Sequence, residues 1–180
     1  HLRGGLGYAF VLTGTLFAGI SGSALASAAG PGAMMARMME RSGYSKAYAG
    51  ALTISVAVVD PIIPPSITMI IYALQDRNVS VGSLFMAGLL PGVLISLLIA
   101  GVNWWISRKR DYRSLEPRPP ASQMLRNTFA ALPALALIVL IVGGIRAGLF
   151  TPTEASVVAV FYAIIASAVI YRGFTFADLW

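Results

Sequence analysis

The sequence predicts an all-α integral membrane protein, on three observations. Hydrophobic residues make up 57% of the 180 positions and charged residues 11%, against about 45–50% and about 25% in soluble domains. The mean hydropathy is +0.78. Long uncharged stretches are interrupted by clusters of glycine, serine and proline rather than by charges. Seven acids and thirteen bases are too few to clothe a soluble fold of this size. The same inventory excludes several functions. There is no cysteine and the one histidine is His1, so thiolate and zinc centres and Ser–His–Asp catalysis lack their parts. The chain begins with His and carries no cleavable-signal pattern, which reads as a segment of a longer polypeptide.

The first element, residues 1–45, is predicted to be a re-entrant helical hairpin with its tip at 20–24. No charge occurs between Arg3 and Arg37, a run of 33 positions. One helix of that length would be about 50 Å long, whereas a hydrocarbon core is about 30 Å thick. The cluster Gly19-Ile20-Ser21-Gly22-Ser23 divides the run. Two half-length helices meeting there put both charged ends on one side of the membrane. Such a tip is tolerated only where protein or a watery cavity receives it. A single long tilted helix is the alternative.

Residues 46–76 are predicted to be a broken transmembrane helix. This stretch holds Asp60-Pro61-Ile62-Ile63-Pro64-Pro65-Ser66, with three prolines in five positions. Each proline removes a backbone N–H and disfavours helix in the residue before it. Half-helices over 47–59 and 67–75, joined by extended chain at the bilayer midplane, are expected.

Residues 77–107 then form a transmembrane helix returning to the cytoplasm. It crosses at 84–106, with a short interfacial turn around Met86-Ala87-Gly88 and an aromatic anchor at Trp104 and Trp105. A basic, proline-rich cytoplasmic loop occupies 108–121. Residues 122–173 hold an interfacial helix carrying Arg126 and two transmembrane helices, the first crossing at 129–145. The second opens with Thr151 as N-cap, Pro152 at the first helical position and Glu154 in the first turn. Residues 174–180 start a further element.

Charge distribution orients this layout. With the hairpin mouth in the cytoplasm, Arg3, Arg37, Arg41, Lys46, six bases from Arg108 to Arg126, and Arg172 fall inside, eleven of thirteen. Only Arg77 and Arg146 fall outside. The basic balance therefore follows the positive-inside rule and does not point to nucleic acid.

Two interrupted segments near the midplane are the sequence signature of a transporter binding site. Unwound carbonyls ligate a small cation, while half-helix N-termini hold an anion such as a carboxylate. The tip offers Ser21, Gly22 and Ser23; the break offers Asp60, the carbonyls of Pro61 and Ile62, and the Ser66 hydroxyl. Kinks that only shape packing are the alternative. Other features read as structural: Met34, Met35, Met38 and Met39 as packing, and Ser23 and Ser27 with Ala26 and Gly30 as small residues for close helix approach.

The ordered motifs resemble the large, DctM-like membrane subunit of TRAP transporters (tripartite ATP-independent periplasmic transporters). They are Ile20-Ser21-Gly22-Ser23-Ala24 through Gly43-Tyr44, then Asp60-Pro61-Ile62-Ile63-Pro64-Pro65-Ser66-Ile67, Leu90-Pro91-Gly92, and Phe150-Thr151-Pro152-Thr153-Glu154-Ala155. The resemblance implies half of an elevator-type transporter built from inverted repeats, with scaffold helices and a second hairpin lying outside this stretch. It implies sodium-coupled uptake of organic acids of the C4-dicarboxylate or sialic-acid type across the bacterial inner membrane. It also implies a small membrane subunit (DctQ-like) and a periplasmic substrate-binding protein (DctP-like) as partners, no cofactor, and sodium as the coupling ion. Sodium would lie among Ser21, Gly22, Ser23, Asp60, Pro61, Ile62 and Pro64, and substrate against Ser23, Ala24, Pro65 and Ser66.

One position departs from the family pattern, which usually has glycine where this chain has Asp60. A carboxylate at midplane depth costs several kcal/mol unless paired. It either ligates a cation, carries a coupling proton or makes a structural polar contact, and it would repel an anionic substrate placed directly beside it. Three other readings stand beside the leading one: a binding-protein-independent carboxylate or ion transporter of similar architecture, a channel, and a structural, non-transporting membrane subunit. A membrane enzyme lacks a base–nucleophile pair or metal set among these residues.

Overall fold

The structure, a computed structural model, describes residues 3–76, 78–112 and 120–170. Every regular element among them is helical, in two compact units, residues 1–119 and 120–180. The first unit holds α1 (Gly5–Ser21), α2 (Ala24–Ser27), α3 (Ala33–Arg41), α4 (Lys46–Ala57), α5 (Ile67–Gln75) and α6 (Val81–Lys109); the second holds α7 (Ala121–Arg146) and α8 (Pro152–Ile165).

The first interruption falls at Gly22–Ser23. Helix α1 continues through Gly19 and Ser21, so the breaker cluster reduces to two residues and α1 is about 25 Å long, more than a half-depth arm. Gly22 closes it in the left-handed region at φ 59°, donating its N–H to the Ala18 carbonyl. Ser23 is extended and caps α2, its hydroxyl accepting from the Ala26 N–H. Helices α2 and α3 are joined by a π-helical turn, Ala28–Gly32, which contains Pro31. Proline has no N–H for the carbonyl four residues back, that of Ser27, and the ladder widens locally to absorb the loss. Phe10 and Val11 of α1, Met39 of α3, and Tyr48, Ala49, Leu52 and Val56 of α4 form one core cluster.

The second interruption separates α4 from α5. It differs from the expected extended linker, because residues 58–62 form consecutive turns. The Val59 N–H donates to Val56 O, Asp60 N–H to Ala57 O, and both Ile62 and Ile63 N–H to Val59 O. Proline blocks only its own donor, so its neighbours still close three- and four-residue bonds. The Pro64–Pro65 peptide is cis.

Helix α6 runs unbroken through Met86, Ala87 and Gly88, replacing the expected interfacial turn. Apolar surroundings favour internal backbone bonding over an interruption, and Pro91 is accommodated within the same 29-residue helix. Its end is fastened to the rest of the unit by polar groups. Asn103 and Ser107 are fully buried; Tyr48 Oη donates to Asn103 Oδ1 at 2.7 Å, and Asn103 Nδ2 donates to Gly4 O at 3.3 Å. Tyr44, Tyr48 and Tyr112 stack beside them, and Arg3 pairs with Asp111 at 3.3 Å. Arg108 lies over the Trp104 ring and Lys109 over Trp105.

In the second unit, α7 is one helix of 26 residues, so the predicted interfacial stretch is continuous with the crossing segment. Helix α8 starts as predicted. Thr151 and Glu154 form a reciprocal capping box with Pro152 at the helix start, and a π-helical turn, Ala166–Ile170, follows. The turn between the helices is closed by Phe150, whose ring packs on Gly144. Most of the proline-rich loop (113–119), Arg77, and residues 171–180 lie outside the described residues.

The polarity of the first unit is that of a protein solvated by lipid. Leu12, Ile54, Leu90 and Leu98 are each more than 60% exposed, while Asp60, Ser66, Asn103 and Ser107 are fully buried. Two helical stretches, Val81–Lys109 and Thr128–Arg146, are long and apolar enough to cross a membrane.

Candidate functional site

The Gly22–Ser23 interruption and the proline break meet. A Cβ built on Gly22 would lie 3.1 Å from both Ile67 N and Pro65 O, and 3.3 Å from Ser66 Cα. Glycine is required here twice over, by the positive φ and by the approach of another backbone. Thus Gly22 stands against the start of α5.

Each side of this junction is tied internally. Ser21 Oγ donates to Ser23 O at 3.2 Å. Ser66 caps α5, accepting from Met69 N–H at 3.4 Å, and donates to Pro61 O at 2.8 Å. Thr68 Oγ1 donates to the same carbonyl at 3.2 Å. Both lone pairs of Pro61 O are therefore engaged in this conformation, and the fully buried Ser66 hydroxyl is directed inward. Ser23, Ala24 and Pro65 stay partly exposed, whereas Pro64 is buried. Of the residues assigned to substrate, Ser66 shapes the junction from within; the other three lie at its surface. Thr68 was not singled out by sequence, although a hydroxyl two residues after a Ser N-cap is a ready partner for a proline-freed carbonyl.

Helix α6 backs the break through a stripe of small residues. A Cβ on Gly88 would overlap Ile62 O, and one on Gly92 would overlap the Ile63 side chain. One turn further, Ser96 accepts a 2.9 Å hydrogen bond from Thr15 of α1. The four-residue spacing Gly88, Gly92, Ser96 is the signal that sequence reading passed over.

Asp60 is completely buried. The Ser27 hydroxyl, from the end of α2, donates to its Oδ2. The Ser21 hydroxyl lies near the carboxylate as well, but its hydrogen bond goes to Ser23 O. Oδ1 has no hydrogen-bond partner among the described residues. Asp60 is thus joined to α2 through Ser27, a residue read from sequence only as a small packing residue. A buried carboxylate with an orphaned oxygen fits a cation as partner, and the hydroxyls beside it are those of Ser27 and Ser21.

A sequence model of the family described as "Tripartite ATP-independent periplasmic transporter, DctM component" matches residues 1–180. The chain is 40% identical over 180 residues to the 2,3-diketo-L-gulonate TRAP transporter large permease protein YiaN of Escherichia coli, an alignment covering 100% of this chain and 42% of that protein. It is 38% identical over 180 residues to the sialic acid TRAP transporter permease protein SiaT of Haemophilus influenzae, covering 100% of this chain and 29% of that protein. It is 40% identical over 172 residues to the C4-dicarboxylate TRAP transporter large permease protein DctM of Pseudomonas aeruginosa, covering 96% of this chain and 40% of that protein. The chain therefore spans well under half the length of these curated relatives.

Proposed function

The chain belongs to the DctM-component family of tripartite ATP-independent periplasmic transporters, and from that premise we propose that it forms the first hairpin and broken helix of a large permease subunit. In this reading the whole protein is a multi-pass protein of the bacterial inner membrane. It takes up an organic acid of the C4-dicarboxylate or sialic-acid type by sodium symport. A small membrane subunit completes the membrane complex, and a periplasmic binding protein delivers substrate. The hairpin and the broken helix move together, in the manner of an elevator.

The observation that carries this reading is the contact of Gly22 with the backbone of Pro65 and Ile67. It brings two interrupted segments together at one point, where unwound chain and two helix starts are concentrated. Helix α5 begins at Ile67, at this junction, and the first-turn N–H groups that the Ser66 cap leaves over suit a carboxylate. A sodium ion bound among Ser21, Gly22, Ser23, Asp60, Ile62 and Pro64 would offset the charge of Asp60 and so lessen its repulsion of that anion. Pro61 O would join this set only after releasing Ser66 and Thr68.

The test is uptake into proteoliposomes containing the full-length subunit with its small membrane subunit. Accumulation should require both the binding protein and an inward sodium gradient. Uptake without the binding protein would favour the partner-independent transporter, and uptake indifferent to sodium would remove the coupling assignment.

A further inference from the structure

Helix α6 ends in two adjacent pairs of ring and base. Trp104 and Trp105 are 49% and 62% exposed. One turn on, Arg108 Cζ lies 4.4 Å from the centre of the Trp104 ring, and Lys109 Nζ lies 5.7 Å from that of Trp105. Both bases are exposed, and among the described residues neither has a carboxylate within ion-pair distance. Their neighbours are engaged within the protein. Arg110 donates to Ser45 Oγ at 3.0 Å and to Tyr112 Oη at 3.4 Å, and Arg3 holds Asp111 at 3.3 Å. Arg108 and Lys109 are instead turned outward, each over a ring that restricts its long side chain.

Toward the middle of the helix each pair continues as an exposed apolar lane. Leu97 and Gly101 precede Trp104 and Arg108 at helical spacing, and Leu98 and Val102 precede Trp105 and Lys109. A Cβ on Gly101 would meet nothing within 4 Å, so this side of the helix is open. Helix α6 is long and apolar enough to cross a membrane. Its lanes then lie at acyl-chain depth, the indoles at glycerol depth and the bases among the headgroups. Two bases above amphipathic rings and an apolar lane are the complement of a phospholipid with net negative charge. A zwitterionic phospholipid brings its own cation and leaves these bases uncompensated. The helix dipole favours positive charge at this end but makes no demand for rings beneath it.

We propose that the end of α6 binds an anionic phospholipid. Arg108 and Lys109 hold its phosphate, the indoles of Trp104 and Trp105 lie against its glycerol backbone, and an acyl chain follows Leu98 and Val102. The lipid fixes the depth at which α6 leaves the membrane. This inference needs α6 to lie in a bilayer; it is independent of the sodium coupling and of the substrate.

The test is competition between phosphatidylglycerol and phosphatidylcholine of identical acyl chains. Bound lipid is counted by native mass spectrometry on the purified full-length subunit, alone and with its small membrane subunit. Wild type should retain phosphatidylglycerol about tenfold over phosphatidylcholine, and Arg108→Gln with Lys109→Gln should lower that ratio at least about fivefold. Arg108→Lys with Lys109→Arg keeps both charges and should keep the ratio. Raising salt from about 0.05 M to about 0.5 M should lower the wild-type ratio, which carries the test if the glutamine variant does not fold. Equal retention of both lipids by wild type would overturn the proposal, leaving the rings as anchors indifferent to headgroup. An unchanged ratio in the glutamine variant would overturn it too, by placing the anionic lipid elsewhere. A preference that vanishes when the small subunit is added would make that protein the occupant of this surface, and would also overturn it.

Discussion

Tyr48 Oη donates a 2.7 Å hydrogen bond to Asn103 Oδ1, joining α4 to α6 across 55 positions of chain. Asn103 is fully buried and also binds the Gly4 carbonyl and the Ser107 hydroxyl. A single amide thus fastens three segments where water is excluded. Asn103→Ala should lower the stability of the full-length protein by about 1–3 kcal/mol, since it strands several buried partners at once, and Tyr48→Phe by about 1 kcal/mol. Thermal unfolding in detergent reads the difference. Equal midpoints for Asn103→Ala and wild type would mean that the amide contributes nothing.

In the second unit, Thr151 and Glu154 satisfy each other's backbone donors at the start of α8. Thr151→Ala removes the cap and should cost about 1 kcal/mol of local helix stability. Glu154→Gln retains an oxygen for the Thr151 N–H and should cost less. Amide hydrogen exchange at Ala155 and Val157 reports the opening of this turn. Faster exchange in Glu154→Gln than in Thr151→Ala would show that charge rather than geometry holds the helix start.

Both interruptions were legible because their residues cannot do otherwise. Pro61, Pro64 and Pro65 forbid a continuous helix, and Gly22 followed by Ser23 is a helix end joined to a cap. Legibility failed where a residue's role depends on a distant partner. Ser27 on a helix looks like any small packing residue until the fold sets it against Asp60, 33 positions away. Gly88 reads as a turn because glycine weakens an isolated helix by about 1 kcal/mol. Here it lies inside α6, and its missing side chain makes room for Ile62 O. Turns replaced extended chain after α4 because proline penalises its own donor and not its neighbours'. Local chemistry can be read along the chain; the partner of a buried polar group cannot.

The Gly88 packing can be tested against a glycine of the same helix. A Cβ at Gly88 would overlap Ile62 O, whereas one at Gly101 meets nothing within 4 Å. Gly88→Ala should destabilise by about 1–3 kcal/mol through overpacking. Gly101→Ala should be neutral or stabilising by up to about 1 kcal/mol through helix propensity. Parallel thermal melts of the two full-length variants decide the matter, and similar shifts in both would remove the close approach of α6 to the break.

The junction of tip and break is testable by comparing two glycines with the same backbone demand. Gly22 has φ 59° and Gly43 has φ 88°. Alanine at either pays for a left-handed backbone, about 1–2 kcal/mol. Only at Gly22 does the added Cβ also meet backbone, at 3.1 Å from Pro65 O and Ile67 N; at Gly43 nothing lies within 4 Å. Strain alone would therefore affect both variants alike, in stability and in transport. If the junction forms the binding site, Gly22→Ala pushes the tip off the start of α5. Its uptake rate should then fall at least about tenfold below that of Gly43→Ala, a difference of about 1.4 kcal/mol in the barrier. Initial uptake rates, normalised to folded protein in the membrane, give the comparison. Matching rates for the two variants would show that the contact between tip and break has no part in transport.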